Sequence, residues 1–336
     1  MVTLVREILP HLSNKSNITI NILSIKNKYE GSFYKYESSN IFKFSYINIV
    51  GFISKIKKIN PDSIIIFSSI SRGYLLFTWF YIITFGLKRK VMFYQCTNLR
   101  FHKHPSLIKL LLRRYEQIWV TNTILLNYFS NILTDSKIYK IFPSSNILPG
   151  YPRKYPKFKC VSFMGHWSFL KGTDVVLKIA SHFPELKFKI IAGIGKEKAD
   201  KQLHLNFIKS NRNSIKNIEY VGFTKDPLTH LKGSDILLLP YRSGISVLGV
   251  PQSAIEAMAF GIPVLSTSNA ATIDIIKDGY NGFHCNTTEI FIDKIQELYL
   301  DNTLYGQLSA ASIKTYRNYF QSKSTARNIW DLIQNG

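Results

Sequence analysis

The chain has 336 residues, of which 46% are hydrophobic and 14% aromatic, a composition that suits two packed domains and excludes a disordered protein. Its net charge is +22, and residues 1–155 hold 22 Lys and Arg against 6 Asp and Glu. This excess indicates a polyanionic partner for the first half, either anionic lipid or nucleic acid. No RNA-recognition, helix-turn-helix or zinc-finger signature supports nucleic acid, so we expect an anionic membrane surface.

The cysteines and the N-terminus indicate a cytoplasmic protein. Cys96, Cys160 and Cys285 are widely spaced, form no CxxC pair and fit no zinc-ligand spacing. Arg6 and Glu7 stand where a secretory signal would need an apolar core. We therefore expect a reduced, cytosolic setting, including the inner face of the plasma membrane if the basic half binds lipid.

The N-terminal half has four strand signals, at 18–24, 63–68, 90–95 and 119–122. Residues 73–87, GYLLFTWFYIITFGL, form an apolar run shorter than the ~18–20 residues that a spanning helix needs. The run fits a buried helix of an α/β domain. It also fits a helix in the membrane interface, which its aromatics and the basic residues Lys88, Arg89 and Lys90 favour.

In the C-terminal half, apolar strand signals alternate regularly with helical ones, at 158–164, 186–192, 218–222, 235–240 and 263–266. This pattern predicts a parallel sheet covered on both faces, with ligands beyond the carboxyl ends of its strands. The preceding segment SSNILPGYPRKYPKF holds three prolines and a glycine and places a domain boundary near residue 150. The prediction is an α/β protein of two Rossmann-like domains, 1–150 and 151–336. An amphipathic helix pair from about 290 ends the chain, and its last helix either stays with the second domain or packs back on the first.

The segment 237–282 carries the first candidate site. Pro251 suits the first turn of a short helix and Gly261 its C-terminal cap. The helix therefore begins just after Gly249 and Val250, with amides that face an anion beyond the strand ends. Glu256 lies in this helix among small apolar residues, where a carboxylate needs a partner such as ribose hydroxyls.

Another interpretation of Glu256 is a capping box with Ser253, because S-x-x-E is the signature of that motif. Pro251 argues against it, since the proline indicates that the helix has already begun.

The second candidate site is MGHWSFLKGTD, residues 164–174, in the loop between the first strand and the first helix of the same domain. Lys171 offers a compact charge for a diphosphate, and His166 offers a second cation. Taken by itself, the segment also fits an ordinary exposed Lys-Gly turn.

The two segments together resemble a known family. In order, GHWSFLKG, IAGIG, YVGF, LLLPYR, IEAMAFGIPVL and DIIKDGYNGF are similar to the C-terminal domain of family 4 retaining glycosyltransferases. That family has the GT-B fold, in which two Rossmann-like domains face each other across a cleft. The resemblance covers about residues 140–300, and EAMAFGIPV followed by DGYNGF is its most specific part.

The resemblance implies roles for named residues. Lys171 matches a lysine on the donor diphosphate, and His166 stands where the family has an arginine. Glu256 matches the second glutamate of a Glu-x7-Glu pair and would bind the donor ribose. The first glutamate falls at Leu248, which cannot act as an acid. The donor-binding positions are Gly165, Gly222, Arg242, Leu248, Gly249, Val250 and Glu256.

Further departures concern the acidic turn and the N-terminal domain. Ala270 and Ala271 replace a Gly-Gly pair before Asp274. Met1 falls within the segment that resembles the helix after the family's first strand and glycine-rich loop, so we expect either that this chain lacks the strand or that its N-terminal domain is unusual. The family histidine near the transferred sugar has no match: Gln95 occupies roughly its place, and the nearest histidines are His102 and His104.

The resemblance implies a retaining glycosyltransferase that needs neither metal nor cofactor and uses a nucleoside diphosphate sugar. The acceptor would be a saccharide or lipid-linked saccharide in cell-surface polysaccharide or lipopolysaccharide synthesis. An epimerase of the same architecture would need acid and base groups that are not found near Glu256. An inactive homologue within a glycan-assembly complex is favoured by Leu248, by His166 and by the missing strand.

Overall fold

The structure is a computed structural model that describes most of the second half of the chain and parts of the first. It describes residues 105–335 apart from 114, 135, 154–157, 195–197, 212–215, 243–248 and 269–271, together with His11, Lys58 and four earlier strands. Several predicted features lie outside these residues: the apolar run 73–87, the N-terminal start, His102, His104, Leu248, Ala270 and Ala271.

The chain divides into two compact units. One comprises Met1–Asn146 and Gln321–Gly336, and the other comprises Ile147–Phe320. The division falls after Asn146 in the proline-containing segment, and the last helix belongs to the first unit.

The first unit contains two parallel sheets. Its strands are β1 (Ile20–Lys26), β2 (Ser39–Ser45), β3 (Ser63–Ser68), β4 (Lys90–Gln95), β5 (Gln117–Val120) and β6 (Lys137–Lys140). Strands β1 and β2 pair with each other, and the other four form a sheet in the order β3-β4-β5-β6. The four predicted strands are confirmed. Strands β2 and β6 were not predicted, because SNIFKFS and KIYK mix polar and apolar residues without an apolar run.

Three described helices accompany these sheets: α1 (Pro105–Leu112), α2 (Thr123–Ile132) and α9 (Ser322–Asn335). Helix α2 begins after Asn122, whose side chain accepts a hydrogen bond from the Leu125 amide at 2.9 Å. Helix α9 packs Ala326 and Ile329 against Trp119 of β5 and Ile141. These apolar contacts hold the C-terminal helix on the first unit.

The second unit is built on one six-stranded parallel sheet in the order β12-β11-β10-β7-β8-β9. The strands are β7 (Cys160–Trp167), β8 (Lys187–Ile194), β9 (Ile218–Tyr220), β10 (Ile236–Leu239), β11 (Val264–Ser266) and β12 (Gly282–His284). All five predicted strands are confirmed. The three-residue edge strand β12 was not predicted, because it is too short for an apolar run. The predicted α/β class with parallel sheets is thereby confirmed.

The helices of this unit follow its strands along the chain. They are α3 (Thr173–His182), α4 (Lys198–Asn211), α5 (Pro227–Lys232), α6 (Gln252–Ala259), α7 (Thr288–Leu300) and α8 (Asn302–Thr315), followed by a π-helical turn, Tyr316–Phe320. The predicted C-terminal pair is wrong in number, since α7, α8 and α9 are three helices. Asp301 separates the first two, because its side chain accepts hydrogen bonds from the Thr303 and Leu304 amides and begins a new helix.

Strands β7 and β10 lie side by side at the centre of the sheet, and Asp235 fixes their starts. Its carboxylate accepts hydrogen bonds from the Lys159 and Cys160 amides at 2.8 and 2.9 Å and pairs with Arg153 at 3.2 Å. Because both strands are anchored at their amino ends, their carboxyl ends present two loops from fixed positions. In the part of the chain that the structure describes, no helix is both long and apolar enough to cross a membrane.

Candidate functional site

The loop after β7, Ser168–Gly172, is a tight turn that begins helix α3. The Lys171 amide donates to the Ser168 carbonyl at 3.1 Å, and the buried Thr173 hydroxyl bonds to both the amide and the carbonyl of Ser168. Gly172 closes the turn in the left-handed region, at φ 71°. These local bonds hold Lys171 in one place at the carboxyl end of the sheet.

Gly172 packs directly against the residue that follows β10. A Cβ atom at this position would lie 1.9 Å from the Pro240 carbonyl oxygen. The Arg242 amide in turn donates to the Leu170 carbonyl at 3.0 Å. The segment after β10 therefore packs closely against the loop after β7, and only glycine at position 172 leaves room for this contact.

Lys171 is a half-buried cation beside an aromatic ring. Its Nζ lies 4.1 Å from the centroid of the Tyr241 ring, and burial lowers the pKa of its ammonium to about 8. No carboxylate in the described part of the chain pairs with it. A partly desolvated ammonium without a carboxylate partner is suited to an incoming anion, so the ordinary exposed-turn interpretation does not fit this lysine.

Tyr241 is buried, and its hydroxyl lies near the side chain of Ser253 in the first turn of α6. Burial raises the pKa of this phenol, so the hydroxyl stays neutral. The bounds of α6 decide the capping-box alternative. Ser253 lies inside α6 and Pro251 is the N-cap, so Ser253 is not the N-cap that the alternative requires.

Helix α6 begins at Gln252, and its N-cap residue makes no side-chain capping bond. Pro251 occupies the N-cap position with ψ 121°. It was predicted to lie in the first turn, so the helix begins one residue later than predicted. At the other end Gly261 is left-handed, and the Gly261 and Ile262 amides bond back to Met258 and Ala257, so the predicted C-terminal cap is confirmed. The start of α6 follows β10 in the chain and lies near Tyr241, which suits an anion site at a helix N-terminus.

Other predicted site residues lie on β7, on α6 and on the segment between β10 and α6. His166 is exposed near the end of β7, directly after the partly exposed Gly165. Gly249 is partly exposed with nothing within 4 Å of a Cβ atom, whereas Val250 is buried. Glu256 is partly exposed in the middle of α6. Their contacts with a donor stay predictions.

Two further predicted positions are found in turns. Gly222 is left-handed, at φ 74°, just after β9 and therefore at the same edge of the sheet. Asp274 lies partly buried in a turn before β12. In the region for which the structure gives side chains, no three His, Cys, Asp or Glu residues group as metal ligands would.

Arg242 has partners that its sequence context did not reveal. Both guanidinium nitrogens bond to the two carboxylate oxygens of Asp174 in the first turn of α3, and one also donates to the Phe169 carbonyl at 2.6 Å. The guanidinium stacks on the Phe169 ring at 3.9 Å. Arg242 thus ties the loop after β7 to the segment after β10. Asp174 stands 68 residues away, and the only local signal for it was its place at a helix start, where an acidic residue is common.

We expect Arg242→Ala to weaken binding of a nucleoside diphosphate about tenfold and to lower the free energy of unfolding by about 1–2 kcal/mol, because a charged bidentate bond is lost. Asp174→Ala should have the same two effects, and the double variant should add little to either. Calorimetric titration and urea unfolding measure both. Glu297→Ala, which breaks the exposed pair with Lys294 and leaves Lys294 on the Phe283 ring, is the matched control and should cost less than about 0.5 kcal/mol.

The two variants also separate an indirect role of Arg242 from a direct one. If Arg242→Ala weakens nucleotide binding while Asp174→Ala leaves the affinity unchanged, Arg242 contacts the donor itself, as the family resemblance implies.

Comparison with known proteins gives a family match within the second unit. The family described as Glycosyl transferases group 1 matches residues 149–315. Among curated relatives, granule-bound starch synthase 1 of Manihot esculenta is 30% identical over 139 residues, which are 40% of this chain and 21% of that protein. The chain thus spans about a fifth of this relative.

Solved structures extend the likeness to both units. The Anabaena HepE protein in complex with UDP matches 88% of this chain and 86% of its own, with a TM-score of 0.69 and 14% identity. A sucrose-phosphate synthase from Thermosynechococcus elongatus matches 98% of this chain and 91% of its own, with a TM-score of 0.74 and 13% identity. At these identities the likeness shows the fold, which is the predicted GT-B fold.

Proposed function

We propose that this protein is a glycosyltransferase that takes its sugar from a nucleoside diphosphate sugar, because residues 149–315 match the family described as Glycosyl transferases group 1. The observation that carries the proposal is Lys171: a half-buried ammonium that pairs with no carboxylate in the described chain and lies 4.1 Å from the ring centroid of Tyr241, at the carboxyl edge of the sheet. A diphosphate supplies the negative charge that Lys171 and the first amides of α6 would stabilise.

Uracil nucleotides are the first donors to test. The Anabaena HepE protein, which shares the fold, has been solved with UDP and with UDP-glucose. In the proposed complex the diphosphate lies between Lys171 and the first amides of α6, with Glu256 on the ribose. His166 would add a further donor for the phosphate oxygens.

The proposed reaction depends on electrostatic stabilisation of the leaving group. As the bond between the sugar and the diphosphate breaks, negative charge grows on the diphosphate, and Lys171 with the α6 amides would stabilise it.

The proposed chemistry proceeds with retention and uses neither metal nor cofactor. The proposed acceptor is a saccharide or lipid-linked saccharide of a cell-surface polysaccharide or lipopolysaccharide. The strongly basic first 155 residues would bind the anionic cytoplasmic face of the membrane.

A screen of sugar nucleotides tests the proposal. Purified protein is incubated with each donor and with membranes, and release of the nucleoside diphosphate is measured. We expect release with at least one donor, dependent on membranes or added saccharide. We also expect the donor to raise the melting temperature without an acceptor. Failure of every donor in both measurements would refute the proposed function. Binding without turnover would indicate the inactive homologue, which Leu248 in place of the family glutamate favours.

A further inference from the structure

Tyr241 contacts both anion-binding elements of the site through different parts of its side chain. We propose that Tyr241 is a positioning residue that joins Lys171 to the first turn of α6, so that the two elements meet a diphosphate in one fixed geometry. This inference rests on the proposed function, since it concerns the same anion site. Neither the family match nor the sequence assigns Tyr241 a role.

The ring of Tyr241 positions Lys171 without neutralising it. The ammonium lies 4.1 Å from the ring centroid, a distance at which the face of the ring attracts a cation. A carboxylate at this place would hold the lysine too, but it would compete with the diphosphate for the same charge. An aromatic face leaves the full charge for the ligand.

The hydroxyl of Tyr241 reaches the second element. It lies near the Ser253 side chain, and Ser253 is the second residue of α6. A buried phenol needs a polar neighbour of this kind. Because one rigid side chain contacts both the helix and the ammonium, a shift of either element displaces the other.

The backbone of Tyr241 is itself held. Its amide donates to the Leu239 carbonyl at 2.9 Å, and its carbonyl accepts from the Thr267 hydroxyl at 2.7 Å. Its neighbours Pro240 and Arg242 pack against the loop that carries Lys171. The ring therefore stands on a fixed support, which is what a positioning residue requires.

The test compares the effect of Tyr241 in the presence and absence of Lys171. UDP affinity is measured by calorimetric titration for wild type, Tyr241→Leu, Lys171→Met and the double variant. We expect Tyr241→Leu to weaken UDP binding about tenfold in the wild-type background, because the ammonium loses its support. In the Lys171→Met background the same change should weaken binding only about threefold, because the contact with α6 is then the only one of the two that is lost. An equal loss in both backgrounds would overturn the inference.

A milder pair of variants tests the hydroxyl and does not depend on Tyr241→Leu folding. Tyr241→Phe keeps the ring, so it should retain most of the affinity and weaken UDP binding about threefold. Ser253→Ala should match it, and the double variant should lose no more than either single one. Additive losses would overturn the link to α6.

The controls separate this inference from the proposed function. If wild type binds neither UDP nor another nucleoside diphosphate, or if Lys171→Met leaves the affinity unchanged, the proposed function fails. If wild type binds UDP through Lys171 but the two Tyr241→Leu losses are equal, only the role of Tyr241 fails.

Discussion

Replacing Gly172 with alanine is expected to lower the free energy of unfolding by about 3–5 kcal/mol and to weaken nucleotide binding about 100-fold. Two costs add at this position. A side chain at φ 71° is strained, and the new Cβ atom would lie 1.9 Å from the Pro240 carbonyl oxygen. The clash is relieved only if the loop after β7 moves away from Pro240, and this movement displaces Lys171. Urea unfolding and titration with UDP measure the two effects.

Gly233→Ala is the matched control in the same unit. Its φ is −84°, and a Cβ atom there would have its nearest neighbour 3.8 Å away, so the change should stay within about 0.5 kcal/mol. If Gly172→Ala unfolds at the wild-type urea concentration and binds UDP normally, the loop does not pack against Pro240 as described.

Lys171→Met is expected to weaken UDP binding about 10–100-fold at pH 7, since hydrogen bonds to charged groups contribute about 1.5–3 kcal/mol.

The wild-type affinity for UDP should fall as the pH rises. Burial lowers the pKa of Lys171 from 10.5 to about 8, and a diphosphate binds the protonated form. Affinity is therefore full well below pH 8 and falls about tenfold per unit above it. The phosphates are already ionised there, because their last pKa is about 6.

Lys171→Arg is the control for this titration, because arginine stays charged through the whole range. Its UDP affinity should be nearly constant between pH 7 and 9, whatever its absolute value. A wild-type profile equally flat would contradict a depressed lysine pKa at the diphosphate.

The same lysine should destabilise the protein when no ligand is bound. Its folded pKa lies below its unfolded value, so the cost is fully present below about pH 8 and disappears as the pH rises towards 10.5. Lys171→Met should therefore raise the free energy of unfolding at pH 7 by about 1 kcal/mol, discounted because the ammonium is partly solvated. The gain should vanish near pH 10.

Sequence patterns predicted much of the second unit because its signals are local. The central strands are short, buried, apolar runs that helices separate, and Gly261 ends α6 as its position after the last apolar residue indicated. The strands that were not predicted, β2, β6 and β12, lack such runs. Polar residues interrupt the pattern of β2 and β6, and β12 has only three residues, although each of the three pairs with the strand that precedes it in the chain.

The sequence by itself determined the α/β class and nine of the twelve described strands, and it singled out Lys171, Gly249 and Glu256 as candidate site residues. Hydrophobic periodicity, turn residues and family motifs each lie within a short segment, so they can be recognised without knowing which segments are neighbours in the fold. The tertiary structure decided how those segments meet. Asp174 with Arg242, Gly172 with Pro240, and Lys171 with Tyr241 are contacts across 68 to 70 residues that arise only because β7 and β10 are neighbours in the sheet.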